Sequence, residues 1–171
     1  MEQKSLISLI VKNEKGVLAK ISDLLGKANI NIEKLVVSTI DVEGTVSKII
    51  FYLTGNRETV NDFFEKNIKT LPAVLKINNF VANGGFVEKE LLIIKISQTN
   101  INFTEINSIV SSNDGKIIFI DEHIVIYQII SDSDKIDESV KKILFLTKEV
   151  EISRSGIVAM DFNKKLDDFT I

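Results

Sequence analysis

An α+β fold built from two successive two-layer sandwiches is predicted by three observations. The order strand, helix, strand, strand, helix, strand is legible twice along the 171 residues. Period-two alternation and helical spacing take turns within each half. One glycine-paired stretch, Asn83-Gly84-Gly85, separates the halves and places the units at 1–82 and 83–171.

The first strand is expected over 5–12, with Ile7, Leu9 and Val11 on one face. Asn13 to Gly16 breaks it. A helix over 17–28 follows, because Leu18, Ile21, Leu25 and Ala28 keep helical spacing and Asn29 supplies a stop. The second strand covers 31–39. Asp41-Val42-Glu43-Gly44 is the hairpin turn, and the third strand runs over 45–54. Val60, Phe63, Phe64, Ile68 and Leu71 form the stripe of a second helix, which Pro72 ends. A fourth strand is expected over 74–80.

The second half repeats the order. Strands are expected over 91–97, 116–121, 124–131 and 151–160. A helix over 103–112 turns Phe103, Ile106, Ile109 and Val110 inward, with Gly115 just past its end. Asp132 or Ser133 caps the other helix, where Ile136, Val140, Ile143 and Leu144 share a face. The tail from Asp161 is charged and expected to fray. Each half is thus a ferredoxin-like βαββαβ sandwich, and the two lie in tandem. Strands such as Leu91-Leu92-Ile93-Ile94 are apolar on both faces, whereas helices cover one face only. Self-association or a partner protein is the expected cover; packing within the chain is the alternative.

Composition narrows the function. The net charge of −3 argues against a general nucleic-acid binder. No apolar run approaches the ~20 residues of a membrane span. Met1-Glu2-Gln3-Lys4 gives no secretory signal, so a cytoplasmic location is expected. The absence of cysteine removes disulfides, thiolate zinc sites and thiol nucleophiles.

No catalytic site and no metal site are predicted. His123 is the sole histidine and falls at a hairpin tip. Asp132-Ser133-Asp134 opens like a calcium loop, yet Asp137 and Ile143 stand where glycine and glutamate are needed. The acid pairs Asp121-Glu122 and Asp167-Asp168 read as solvated surface. An RNA-binding sheet would need aromatics on its third strand within a basic, glycine-rich motif. Here Phe51 and Tyr52 are adjacent and face opposite sides.

The turn at Gly16 is different. A helix start exposes unpaired N–H groups and the positive end of the dipole. Glycine leaves room for a carboxylate there. The amides of Asn13 and Asn31 can donate and accept. Together these groups suit a free amino acid; a plain glycine turn with an asparagine cap is the equal alternative.

At these residues the sequence resembles the regulatory small subunit of acetohydroxyacid synthase, also called acetolactate synthase. Asn13-Glu14-Lys15-Gly16-Val17-Leu18 is similar to that family's N-E-x-G-V-L, which opens its ACT domain. Asn31-Ile32-Glu33-Lys34-Leu35 is similar to N-I-E-S-L, and Phe86-Val87-Glu88-Lys89-Glu90-Leu91 to H-V-E-R-E-L. Asp134-Lys135-Ile136-Asp137 and Ser153-Arg154-Ser155-Gly156 resemble D-K-I-D and A-R-S-G. The matches keep their order over residues 4–160.

The resemblance implies an ACT domain followed by the family's C-terminal ferredoxin-like domain, in a non-catalytic subunit. Its partner would be the catalytic large subunit, which carries thiamine diphosphate, Mg²⁺ and FAD. The small subunit would raise that activity and confer feedback inhibition by a branched-chain amino acid, valine above all. A homodimer through the ACT domains is implied. Asn13, Gly16, Val17 and Leu18 of one chain would then meet Asn31 and Ile32 of the other around the effector. The sequence departs from the family pattern at Ala19, Phe86 and Asn113, positions that bear on effector affinity and identity. The rival is an amino-acid-sensing ACT protein that serves a different enzyme.

Overall fold

Ile7, Leu9 and Val11 lie on one face of β1 (Gln3–Lys12), and that face is the floor of the first core. The computed structural model describes residues 3–99 and 101–162. Helix α1 (Val17–Lys27) buries Ile21 and Leu25 on this floor. It stops where Asn29 turns left-handed at φ 56°, while Ile30 N–H bonds the Leu25 carbonyl at 3.0 Å. β2 (Asn31–Thr39) and β3 (Val46–Gly55) form the hairpin. The sheet order is β2-β3-β1-β4, all pairs antiparallel.

The second helix departs from expectation. α2 (Arg57–Phe63) passes into a π-helical turn over Phe64–Ile68, closed by Lys69 N–H on the Phe64 carbonyl at 2.9 Å. Helical structure therefore ends before Pro72. Val60, Phe64 and Ile68 still reach the core, with Phe63 and Leu71 packed against it. β4 (Val74–Asn79) then gives way to a short helix, α3 (Phe80–Asn83), which the sequence reading did not foresee. The Asn79 side chain caps it by accepting from Ala82 N–H at 3.1 Å.

The second sheet has the order β6-β7-β5-β8. β5 (Phe86–Ser97) begins earlier than expected, because Phe86 to Glu90 alternates like the strand it extends. α4 (Phe103–Ser111) and α5 (Ser133–Leu146) cover one face of the sheet. β6 (Lys116–Ile120) and β7 (Ile124–Ser131) form a hairpin, and β8 (Val150–Asp161) closes the order. Leu92, Ile94, Ile96, Val125, Tyr127 and Ile129 meet Ile106, Val110, Ile136 and Ile143 in the second core. Asp161 belongs to β8 and is buried, so fraying does not begin there. The tail expectation otherwise falls on 163–171, outside the described residues.

Two local expectations change their reason. Gly115 is not the left-handed stop of α4; Asp114 takes that role at φ 57°. A β-carbon on Gly115 would meet the Val110 and Ile129 side chains at 2.5 and 2.8 Å, so glycine is required for space. Asp132 occupies the cap position of α5 without a side-chain cap bond. Instead its carboxylate pairs with Lys89 at 2.7 Å, and Glu88 accepts the Ser133 N–H at 3.2 Å.

The chain divides into two compact units, one running to Val87 and resuming at Ala159, the other spanning Glu88–Val158. In the first unit the sheet face away from the helices is not left open. Leu6, Ser8 and Ile50 on that face are buried. Phe80 of α3 lies under the Lys48 ammonium, which donates to the Ala159 carbonyl at 2.9 Å. Burial holds the Lys48 pKa below its ordinary value. Phe80 and Ala159 thus cover part of this face from within the unit, the within-chain alternative.

Candidate functional site

β1 hands over to α1 through a turn tied to the β2–β3 hairpin. Asn13 N–H bonds the Thr45 carbonyl at 2.7 Å, and its side-chain amide donates to the Gly44 carbonyl at 2.8 Å. Gly44 itself has φ 73°, and Asp41 holds the hairpin end. The Asp41 carboxylate accepts from Thr45 N–H, the Thr45 hydroxyl and Val46 N–H at 2.8, 2.5 and 2.9 Å. The hydroxyl bond above all holds its pKa below the ordinary carboxylate value.

Gly16 caps α1 at φ 85°, ψ −8°, a left-handed conformation natural to glycine. A β-carbon there would meet nothing within 4 Å. No side chain caps the helix start, and its first turn holds no acid. The space beside Gly16 is thus clear, with the favourable end of the dipole behind it, while Val17 N–H donates to the Glu14 carbonyl at 3.4 Å. That arrangement can take a carboxylate.

The other predicted residues behave less simply. Val17 and Leu18 turn their side chains toward the first core, and Val17 N–H makes a long bond of 3.4 Å to the Glu14 carbonyl, so backbone groups and not these side chains face the turn. An Asn13 amide donor is already engaged by Gly44, which leaves the amide oxygen as the acceptor available to an ammonium group. Asn31 is exposed at the start of β2, and Ile32 packs against the core.

Asn31 and Gly16 do not converge within one protomer. Asn31 pairs with Thr54, and Thr54 with Lys4, at the beginning of β1. Asn13 and Gly16 follow Lys12 at its other end. The separation along the sheet is roughly 30 Å at ~3.4 Å per residue. The expectation that these groups could surround one ligand is corrected for a single chain: strand register forbids it.

Elsewhere, Ile7, Asn61, Phe64, Glu65, Ile77, Asn79 and Ala82 line a cavity of about 320 Å³ that contains none of the predicted site residues. Asn79 donates to Asn61, and Glu65 pairs with Lys69 outside the cavity at 2.6 Å, so the Asn61 amide oxygen and the Glu65 carboxylate are already engaged. His123 is exposed at the β6–β7 turn. Phe51 is buried in the first core while Tyr52 lies on the opposite face, near Lys4 and Lys34. This geometry cannot make the adjacent pair a stacking platform. Among the described residues no cluster of three metal-ligating side chains occurs, and no helix is long and apolar enough to cross a membrane.

A partly buried ionic cluster in the second unit, built around the buried Glu90, escaped the sequence reading. Arg154 of β8 grips Glu90 of β5 with two bonds of 2.8 Å and reaches Asp137 of α5 at 2.7 Å. The Ser133 hydroxyl donates to Glu90 at 2.9 Å. The bidentate bond to Glu90 is the main cause holding the Arg154 pKa above its ordinary value. Ser155 accepts Leu91 N–H at 3.0 Å, beside Gly156 at φ 76°. Three separated motifs, V-E-K-E, D-K-I-D and S-R-S-G, thus meet in one structural staple. Their partners lie too far apart in sequence for spacing to have joined them.

Known proteins share both halves. Residues 5–77 match the family model described as the ACT domain, and residues 89–162 match that of the small subunit of acetolactate synthase. The chain is 30% identical over 156 residues to the acetolactate synthase small subunit of Bacillus subtilis, covering 91% of this chain and 89% of that one. It is 28% identical over 163 residues to the isozyme 3 small subunit of Salmonella typhimurium, covering 95% and 98%. The crystal structure of the Thermotoga maritima acetolactate synthase small subunit superposes with a TM-score of 0.78 at 27% identity, covering 93% of this chain and 97% of that one.

Proposed function

This chain belongs to the acetolactate synthase small-subunit family, and on that premise we propose that it activates a catalytic large subunit and makes it sensitive to feedback by a branched-chain amino acid, valine above all. The chain itself is non-catalytic in this reading and acts in the cytoplasm. The condensation of two 2-ketoacids belongs to the large subunit, which would carry the thiamine diphosphate, Mg²⁺ and FAD. Residues 1–82 sense the effector, and residues 83–171 form the C-terminal domain. Neither nucleic acid nor membrane enters the scheme.

One observation carries the effector site. β2 is an edge strand whose Asn31 end and Thr39 end lie at opposite ends of the sheet. Antiparallel pairing of β2 with β2 from a second copy would bring Asn31 of one chain to the Gly16 end of the other. The homodimer thereby joins two half-sites that register keeps apart in one chain. The effector carboxylate would then accept from the N–H groups opening α1, at Leu18 and at Val17, the latter exchanging its long bond to the Glu14 carbonyl for the carboxylate. Its ammonium would donate to the Asn13 amide oxygen. Asn31 of the second chain would add its amide, and Ile32 would border the aliphatic side chain.

Light scattering combined with titration calorimetry tests this reading. The expected result is a dimer at micromolar concentration that binds valine, with isoleucine and leucine as comparisons. A stable monomer of 19.2 kDa that binds valine unaided would contradict a site shared between chains.

A further inference from the structure

The cavity between α2 and β4 has an apolar floor of Ile7, Phe64 and Ile77, with Asn61 and Asn79 among its lining. Asn79 spends its oxygen on Ala82 N–H and donates to the Asn61 oxygen. Asn61 thus has its acceptor engaged, while its own amide N–H groups make no hydrogen bond among the described residues. Arg57 stands one helical turn before Asn61 on the same face of α2. Its Nε is buried without a hydrogen-bond partner. So is the hydroxyl of Ser5, which shares a face of β1 with Ile7. Ser5 pairs with Leu53 of β3, and α2 starts two residues after β3 ends, so chain order brings Ser5 and Arg57 to the same end of the sheet. Buried polar atoms are nearly always paired, and two unpaired ones flanking one cavity need a reason. The helix also passes into its π-helical turn at Phe64 and Glu65, both on the cavity wall. Such turns are rare and frequent at functional sites.

We infer that this cavity binds a small aliphatic carboxylate that carries no ammonium group. The unengaged groups, Arg57 Nε, Asn61 Nδ2 and the Ser5 hydroxyl, can all donate, while the amide oxygens beside them are spent. Donors grouped in this way select an anion, and a guanidinium suits a carboxylate best. A volume of about 320 Å³ over an apolar floor suits a branched chain of about four or five carbons. Glu65 is the one acid of the lining, and the Lys69 ammonium offsets its charge at 2.6 Å. An ammonium next to the bound carboxylate would face the Arg57 cation and the Asn61 amide protons, so amino acids are disfavoured. The Gly16 turn differs on this point, because the Asn13 amide oxygen can accept from an ammonium.

Titration of the full-length chain with isovalerate, followed through the side-chain amide signals of Asn61 and Asn79 by nuclear magnetic resonance, is the test. Isovalerate should shift both signals saturably. 3-Methylbutylamine, with the same carbon skeleton and the opposite charge, should shift neither. Arg57→Met removes the charge at similar length and should weaken isovalerate roughly tenfold or more. Asn61→Asp keeps an acceptor for Asn79 and replaces the free donor with a like charge, so it should lose the acid and gain the amine. Gly16→Asp should respond to isovalerate as the wild type does. Absence of a saturable shift, equal shifts with acid and amine, or undiminished affinity in Arg57→Met would overturn the inference. A response lost in Gly16→Asp would overturn it too, because the acid would then occupy the effector turn. None of these outcomes bears on activation of the large subunit.

Discussion

Gly16→Asp abolishes the effector response while leaving activation of the large subunit intact: this is the largest effect expected from the proposed site. The added carboxylate would project from the start of α1 into space that is now clear. Two like charges roughly 4 Å apart repel by about 1–4 kcal/mol across dielectrics from water to a protein surface. Affinity should fall roughly tenfold to several hundredfold. Gly16→Ala separates charge from conformation. It meets no neighbour, and its expected cost is the left-handed strain of about 1–2 kcal/mol at φ 85°. Asn31→Ala should be milder still, losing one or two hydrogen bonds of about 1 kcal/mol each. Calorimetry with valine on the three variants checks the ranking. Wild-type affinity in Gly16→Asp would mean that the effector binds elsewhere.

Arg154→Ala should destabilise the second unit by about 3–5 kcal/mol, the usual consequence of stripping the partner from a buried charge. The Glu90 side chain is 1% exposed, so its carboxylate cannot turn to water when the guanidinium is lost. A change of this size lowers the unfolding midpoint by on the order of 10 °C or more in a unit this small. Arg154→Lys keeps the charge but not the two-pronged grip, so an intermediate loss is expected. The raised Arg154 pKa means its contribution is fully present below the ordinary arginine value and is lost only as pH rises through the folded one. Thermal unfolding followed by circular dichroism measures the effect. An unchanged midpoint in Arg154→Ala would show that the staple does not hold the unit together.

The elements most legible in the sequence are those with a local cause. α1 was readable because Ile21 and Leu25 keep helical spacing between a glycine and an asparagine that both adopt positive φ. The tandem order was readable because alternation and helical spacing recur in each half. α3 was not, because four residues carry no periodic signal. The π-helical turn in the second helix leaves the apolar stripe intact, so spacing alone does not reveal it. Gly115 marked the right boundary for the wrong reason, since its close packing against Val110 and Ile129 is a tertiary fact. The polar opening turn of the candidate site was plain in Asn13 and Gly16. The placement of Asn31 at the far end of the sheet depends on strand register, which composition and spacing do not encode. Glu90 was equally hidden: in F-V-E-K-E it reads as a surface acid, and its partner Arg154 comes 64 residues later.

The central claim is that this chain governs an activity it does not itself possess. Acetolactate formation from pyruvate by the cognate large subunit, supplied with thiamine diphosphate, Mg²⁺ and FAD, measures this directly. The rate is compared without the chain, with it, and with it plus valine. The chain alone should form no acetolactate; added to the large subunit it should raise turnover, and valine should lower that raised rate. Equal rates with and without the chain would contradict the account.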